Sequence, residues 1–79
     1  MARLLLFAAI REAAGVRSLE LDGESAAELI AKAGQRFGDD FTQLIPYCSI
    51  MINGEKRTIE TAIGPDDEVA LLPPVSGGF

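Results

Sequence analysis

Two short apolar runs, RLLLFA at Arg3–Ala8 and EVALL at Glu68–Leu72, stand near opposite ends of the chain, and neither alternates apolar with polar residues. A strand with one wet face shows such alternation, whereas a run that is apolar at both parities has to be covered on both faces. Both segments are therefore expected at the centre of one mixed sheet, side by side and parallel. A chain of 79 residues is long enough for one hydrophobic core and too short for two. Pro73-Pro74 must end the second run, because proline has no backbone donor for a ladder.

Between these runs the sequence supplies one long helix. Ser25-Ala26-Ala27-Glu28 has the spacing of a capping box, and Ala26, Leu29, Ile30, Ala33 and Phe37 then recur at helical spacing, with Gly38 placed as the stop. Gly34 costs that helix up to ~1 kcal/mol relative to alanine. Ahead of it, Ile10–Ala14 forms a brief helical turn closed by Gly15, and Val16–Leu21 reads as a strand antiparallel to the first. Beyond it, Asp39–Leu44 is a turn or short helical segment stopped by Pro46, and Cys48–Asn53 is a strand. Asn53-Gly54 favours a two-residue hairpin that returns Glu55–Thr58 as a charged edge strand. Ile59–Ile63 leads into the Gly64-Pro65-Asp66-Asp67 turn before the last strand. The fold class is α+β, with a sheet of four to five strands carrying one main helix on one face.

One helix covers one face of a sheet, yet the first and last strands are apolar on both. With Leu4, Leu6, Val69 and Leu71 beneath the helix, Leu5, Phe7 and Leu72 project to the other side. An exposed apolar patch there marks a partner surface. The alternative is that the Asp40–Pro46 segment folds over it.

Several function classes drop out. The chain has one cysteine and no histidine, so no disulfide, His/Cys metal site or Ser-His pair can be assembled, and Cys48 reads as a structural thiol. Asp66-Asp67-Glu68 reads as solvated charge rather than a metal site. A net charge of −5, with seven scattered Lys and Arg, argues against nucleic acid as partner. No apolar run approaches the ~20 residues needed to cross a bilayer and no signal peptide is recognisable, so no membrane association and a cytoplasmic location are expected.

The domain is expected to span 1–74, followed by a flexible tail, 75–79, reading Val75-Ser76-Gly77-Gly78-Phe79. The four residues Val75–Gly78 reach roughly 13 Å when extended, at about 3.3 Å per residue. Two glycines in succession make the narrowest possible chain, around which a partner can close.

The whole chain resembles the small subunit of molybdopterin synthase, the MoaD sulfur-carrier family within the ubiquitin-like β-grasp group. The resemblance rests on Leu6-Phe7-Ala8 with Ile10-Arg11-Glu12, on Ile52-Asn53, and above all on the block from Asp67 to Gly78, DEVALLPPVSGG. It implies that an ATP-dependent, ubiquitin-activating-type adenylyltransferase adenylates the Gly78 carboxylate, which then becomes a thiocarboxylate. It also implies that the tail enters the large synthase subunit and gives sulfur to a cyclic pyranopterin phosphate. No cofactor is bound by the carrier itself, and ATP is used by its activating partner. Gly78 is the reacting residue, Gly77 belongs to the tail, and Phe7, Leu72, Pro73, Pro74, Val75 and Ser76 meet the partner. Leu5 and Arg11 are further candidates, Arg11 either orienting the tail or partner or standing as a solvated surface residue beside Glu12.

The family chemistry needs a free glycine carboxylate, and this chain continues to Phe79. Removal of Phe79 by a C-terminal peptidase is the favoured reading, against an artefact of the recorded chain or a changed function. Two alternatives keep the same tail: a sulfur carrier for thiazole or cysteine synthesis, and a ubiquitin-like protein modifier joined to lysines through Gly78. An autonomous enzyme has no catalytic group to draw on.

Overall fold

The computed structural model of the chain describes residues 1–74. Five strands, β1 (Ala2–Leu6), β2 (Ser18–Leu21), β3 (Ser49–Ile52), β4 (Glu55–Lys56) and β5 (Glu68–Leu72), form one sheet in the order β2-β1-β5-β3-β4. The two apolar end strands are its parallel centre, with Leu4 opposite Val69 and Leu6 opposite Leu71, and the other pairings are antiparallel. The expected architecture holds, with strand ends trimmed. The first strand stops at Leu6, because Ala8 turns the chain at φ 52 and opens α1 (Ala8–Ala14) two residues earlier than expected. The second begins at Ser18 rather than Val16, the third spans Ser49–Ile52 rather than Cys48–Asn53, and the edge strand keeps two residues of the expected four.

The long helix, α2 (Ala26–Phe37), starts as its capping signal requires. Ser25 Oγ accepts the Glu28 N–H at 3.2 Å, while the Glu28 carboxylate reaches Glu24 N at 2.7 Å, one residue before the usual reciprocal donor. Two more free amides of that first turn, on Ala26 and Ala27, donate to the carbonyls of Thr61 and Ile59, so the Ile59–Ile63 segment ties the helix start to the sheet's approach to β5. A third helix, α3 (Asp39–Leu44), is followed by a 3-10 turn over Ile45–Tyr47.

All helices lie on one face of the sheet. Ala2, Leu4, Leu6, Val69, Leu71 and Ile52 meet Ile10, Ala26, Leu29, Ile30, Ala33 and Phe41 in a single buried cluster. The Asp40–Pro46 segment therefore does not cover the second face. Its Phe41 is fully buried on the helix side, with its ring 5.2 Å from that of Phe37.

Gly34 also acquires a reason. A Cβ there would stand 3.0 Å from Thr42 Oγ1, so the glycine lets α3 pack closely on α2. Gly34→Ala is expected to gain none of the ~1 kcal/mol that helix propensity offers, whereas in a Thr42→Ala background the gain returns. Urea denaturation of the four chains of this cycle measures it; a full gain in the native background would show that the close approach is unimportant.

Candidate functional site

The open face of the sheet is built by strand parity. On β1 and β5 the residues between the buried ones point away from the helices, and the register sets Leu5 opposite Ala70, Ala70 opposite Met51, and Leu72 opposite Ser49. Leu5, Met51, Ala70 and Leu72 are half-buried, and Phe7, continuing the parity of Leu5, is 42% exposed. With Glu68 and Gly54 they line one shallow hollow of about 250 Å³. An apolar patch of this kind on a small domain is costly to leave wet and suits a partner.

Because β1 and β5 run parallel, Phe7 and Pro73-Pro74 leave the sheet at the same end. Phe7 is the residue before α1, extended at φ −129, and the next residue takes up the positive φ. A non-glycine residue in that region costs about 1–2 kcal/mol, a strain located beside the most exposed aromatic of the open face. Pro73 is buried and Pro74 exposed, so the first ring of the proline pair packs on the domain and the second faces water.

The start of β5 is held as firmly. Asn53 and Gly54 both have positive φ, as a two-residue hairpin turn demands. The Asn53 amide donates to Asp67 Oδ1 at 2.9 Å and its Oδ1 accepts the Glu68 N–H at 2.9 Å, while Asp67 Oδ2 accepts the Gly64 N–H at 2.7 Å. The Gly64 backbone N–H, and then the Asn53 amide, hold the Asp67 carboxyl below the ordinary carboxylate range. A folded-state pKa that is depressed contributes stability at pH above the unfolded value of ~3.9, and this is lost as pH falls through the folded value. Asp67→Asn should therefore destabilise the domain at neutral pH, and the gap from the native chain should close below pH ~4. Denaturation midpoints across that range measure it, and a gap independent of pH would contradict the account.

Of the residues singled out in the sequence, Leu5, Phe7, Leu72, Pro73 and Pro74 are brought together at one end of the open face. Arg11 lies apart on α1, exposed, across Phe7 from that hollow. Val75, Ser76, Gly77, Gly78 and Phe79 lie outside the described residues. Met51 and Ala70 complete the patch without having been singled out; the alternation of Ile50 and Ile52 with Met51, and of Val69 and Leu71 with Ala70, was the available signal. Cys48 is a half-buried packing residue whose thiol donates to the Leu44 carbonyl at 3.3 Å, and burial pushes its pKa up, away from the reactive thiolate. Among the described residues no three His, Cys, Asp or Glu gather to hold a metal ion, and no helix is long and apolar enough to cross a membrane.

A mixed sheet with parallel first and last strands, helices on one face and an apolar patch beside the chain's exit defines a ubiquitin-like β-grasp domain. The ThiS family model matches residues 4–78, nearly the whole chain. The chain belongs to the ThiS family, and with it to the ubiquitin-like sulfur carriers and modifiers. It is 36% identical to small archaeal modifier protein 1 of Haloferax volcanii over 92% of this chain and 95% of that one. The crystal structure of that modifier superposes with a TM-score of 0.76, covering 98% of both chains. The molybdopterin synthase sulfur carrier subunit of Haemophilus influenzae is 32% identical over 99% of this chain and all of the relative (100%). One chain of the complex of subunits 1 and 2 of the molybdopterin-converting factor of Helicobacter pylori shares the fold, at a TM-score of 0.70 and 23% identity, covering 98% of this chain and 97% of that one.

Proposed function

We propose that the chain is a sulfur carrier and the small subunit of a molybdopterin synthase. The observation that carries the reading is the apolar patch of Leu5, Phe7, Met51, Ala70 and Leu72, left open by the helices and continuous with the Pro73-Pro74 exit from which the diglycine follows in sequence. Docking through that face would carry the chain end into a partner's active site while the domain stays outside. The likeness to the Haemophilus carrier subunit over the full length supports the molybdopterin branch.

In this reading a peptidase first hydrolyses the Gly78–Phe79 bond and frees the Gly78 carboxylate. An adenylyltransferase then lets that carboxylate attack the α-phosphorus of ATP, and pyrophosphate leaves. A sulfide-equivalent donor attacks the carbonyl carbon, AMP leaves, and a thiocarboxylate remains. Adenylation turns a poor electrophile into a good one, and the thiocarboxylate sulfur is then a nucleophile held in place for attack on a cyclic pyranopterin phosphate.

A second reading shares every step up to adenylation. The relative at 36% identity is named a modifier, and the same activated carbonyl, taken by a lysine amine instead of sulfur, would join Gly78 to another protein. A carrier serving thiazole or cysteine synthesis differs only in the acceptor. Intact mass spectrometry of the protein from its own host separates them. The carrier reading expects a chain ending at Gly78, part of it heavier by one oxygen-to-sulfur exchange, and a molybdopterin synthase large subunit retained on pull-down. Diglycine remnants on other proteins' lysines, with no sulfur form, would favour the modifier. Phe79 retained throughout active cofactor synthesis would refute the trimming step.

A further inference from the structure

Charge is distributed unevenly along the strand axis. At the end away from the chain's exit, Glu20, Asp66, Asp67 and Glu68 gather around Arg3, and Arg3 pairs with Glu68 at 3.5 Å. At the exit end the sign reverses. The Leu6 N–H donates to the Arg17 carbonyl at 2.8 Å, which fixes Arg17 beside the end of β1, and α1 brings Arg11 to the same corner. Both arginines line one hollow of about 390 Å³ shared with Phe7 and Ser18, and both line a second, of about 250 Å³, with Glu12 and Val16.

Among the described residues neither Arg11 nor Arg17 is in an ion pair. Glu12 is the one acid lining either hollow. In a chain of net charge −5, two unpaired guanidiniums at one corner are a local reversal of the overall field. The corner is also flanked by two of the most exposed apolar side chains, Phe7 at 42% and Val16 at 41%. Phe7 is common to this corner and to the open-face hollow, so the two surfaces are continuous.

We propose that Arg11 and Arg17 form an acid-reading corner of the docking surface, across which the protein partner lays a carboxylate-bearing segment with apolar side chains against Phe7 and Val16. The identity of that partner as a synthase large subunit rests on the carrier reading above. Guanidinium groups present planar forks that match carboxylates, and their placement at the rim gives register and encounter rate. The acidic far end adds direction: an acidic partner mouth attracts the exit end and repels the other, so the domain arrives tail first. A phosphate alone would leave the two apolar flanks wet, which favours a protein segment over a nucleotide.

The test uses the full chain and the cognate synthase large subunit. Arg17→Glu and Arg3→Glu change the net charge equally but at opposite ends. Association measured by stopped flow at low salt is expected to slow by about tenfold or more for R17E and to lose much of its salt dependence, while R3E stays within about twofold of the native chain. Native binding with R17E no slower than R3E would overturn the corner alone. No binding by the native chain would remove the carrier reading and this partner with it. Saturable shifts of the Arg11 and Arg17 Nε–Hε resonances on titrating the free chain with ATP, with the Arg11 shift lost in R17E, would reassign the corner to a nucleotide and overturn the proposal.

Discussion

Placing carboxylates on the open face, by Phe7→Asp with Leu72→Asp, is expected to weaken binding to the synthase large subunit proposed as partner by about a hundredfold or more while the domain stays folded. Phe7 is 42% exposed and Leu72 half-buried, and neither belongs to the buried core cluster, so the free chain tolerates the change. In a complex the same positions become desolvated. Truncating one central aromatic or aliphatic anchor of an interface commonly costs about 2–4 kcal/mol, and an aspartate there adds an unpaired buried charge. Calorimetry gives the affinity and a thermal melt confirms the fold; Phe7→Ala alone provides a milder variant should the double substitution unfold the chain. Native-like affinity in a folded variant would show that the partner uses another surface.

The second large effect lies on the opposite side of the sheet. Phe41→Ala is expected to cost about 3–5 kcal/mol, a large share of the ~5–15 kcal/mol that holds a domain of this kind together. Phe41 has no exposed surface, touches Phe37, and joins α3 to the cluster made by the other helices and the sheet. Tyr47, three residues beyond that helix and 69% exposed, serves as the control, and Tyr47→Ala should stay within ~0.5 kcal/mol. Urea denaturation reads both. A cost below about 1 kcal/mol for F41A would mean that the α3 segment folds onto the core only loosely.

The centre of the fold was legible because parity leaves little choice. RLLLF and EVALL cannot sit at an edge, and their parallel pairing follows from their being the two most buried strands. The helix start at Ser25 and the Asn53-Gly54 hairpin were equally readable, each resting on a local signal with a mechanism. Strand ends were not, because the positive φ of Ala8, which ends β1, has no signature in an alanine. The role of Asp39–Leu44 was also obscured. Six residues carry one deeply buried side chain, too few for periodicity to reveal the buried face, and Gly34 looked like a defect of α2 because the packing of Thr42 against it could not be read from the sequence, although Asp39–Leu44 itself was read as a turn or short helical segment. On the open face, Leu5, Phe7 and Leu72 were visible as leftover apolar residues, whereas Met51 and Ala70 needed the strand register to join them.

The proposed function requires that the Gly78 carboxylate, once freed of Phe79, is activated and takes up sulfur. Incubating the chain ending at Gly78, and separately the chain ending at Phe79, with ATP, a sulfide source and the cognate adenylyltransferase, then recording intact masses, tests it directly. The expected result is an oxygen-to-sulfur mass gain on the chain ending at Gly78 and none on the longer one. An unchanged mass for both, with an enzyme active on its own carrier, would contradict it.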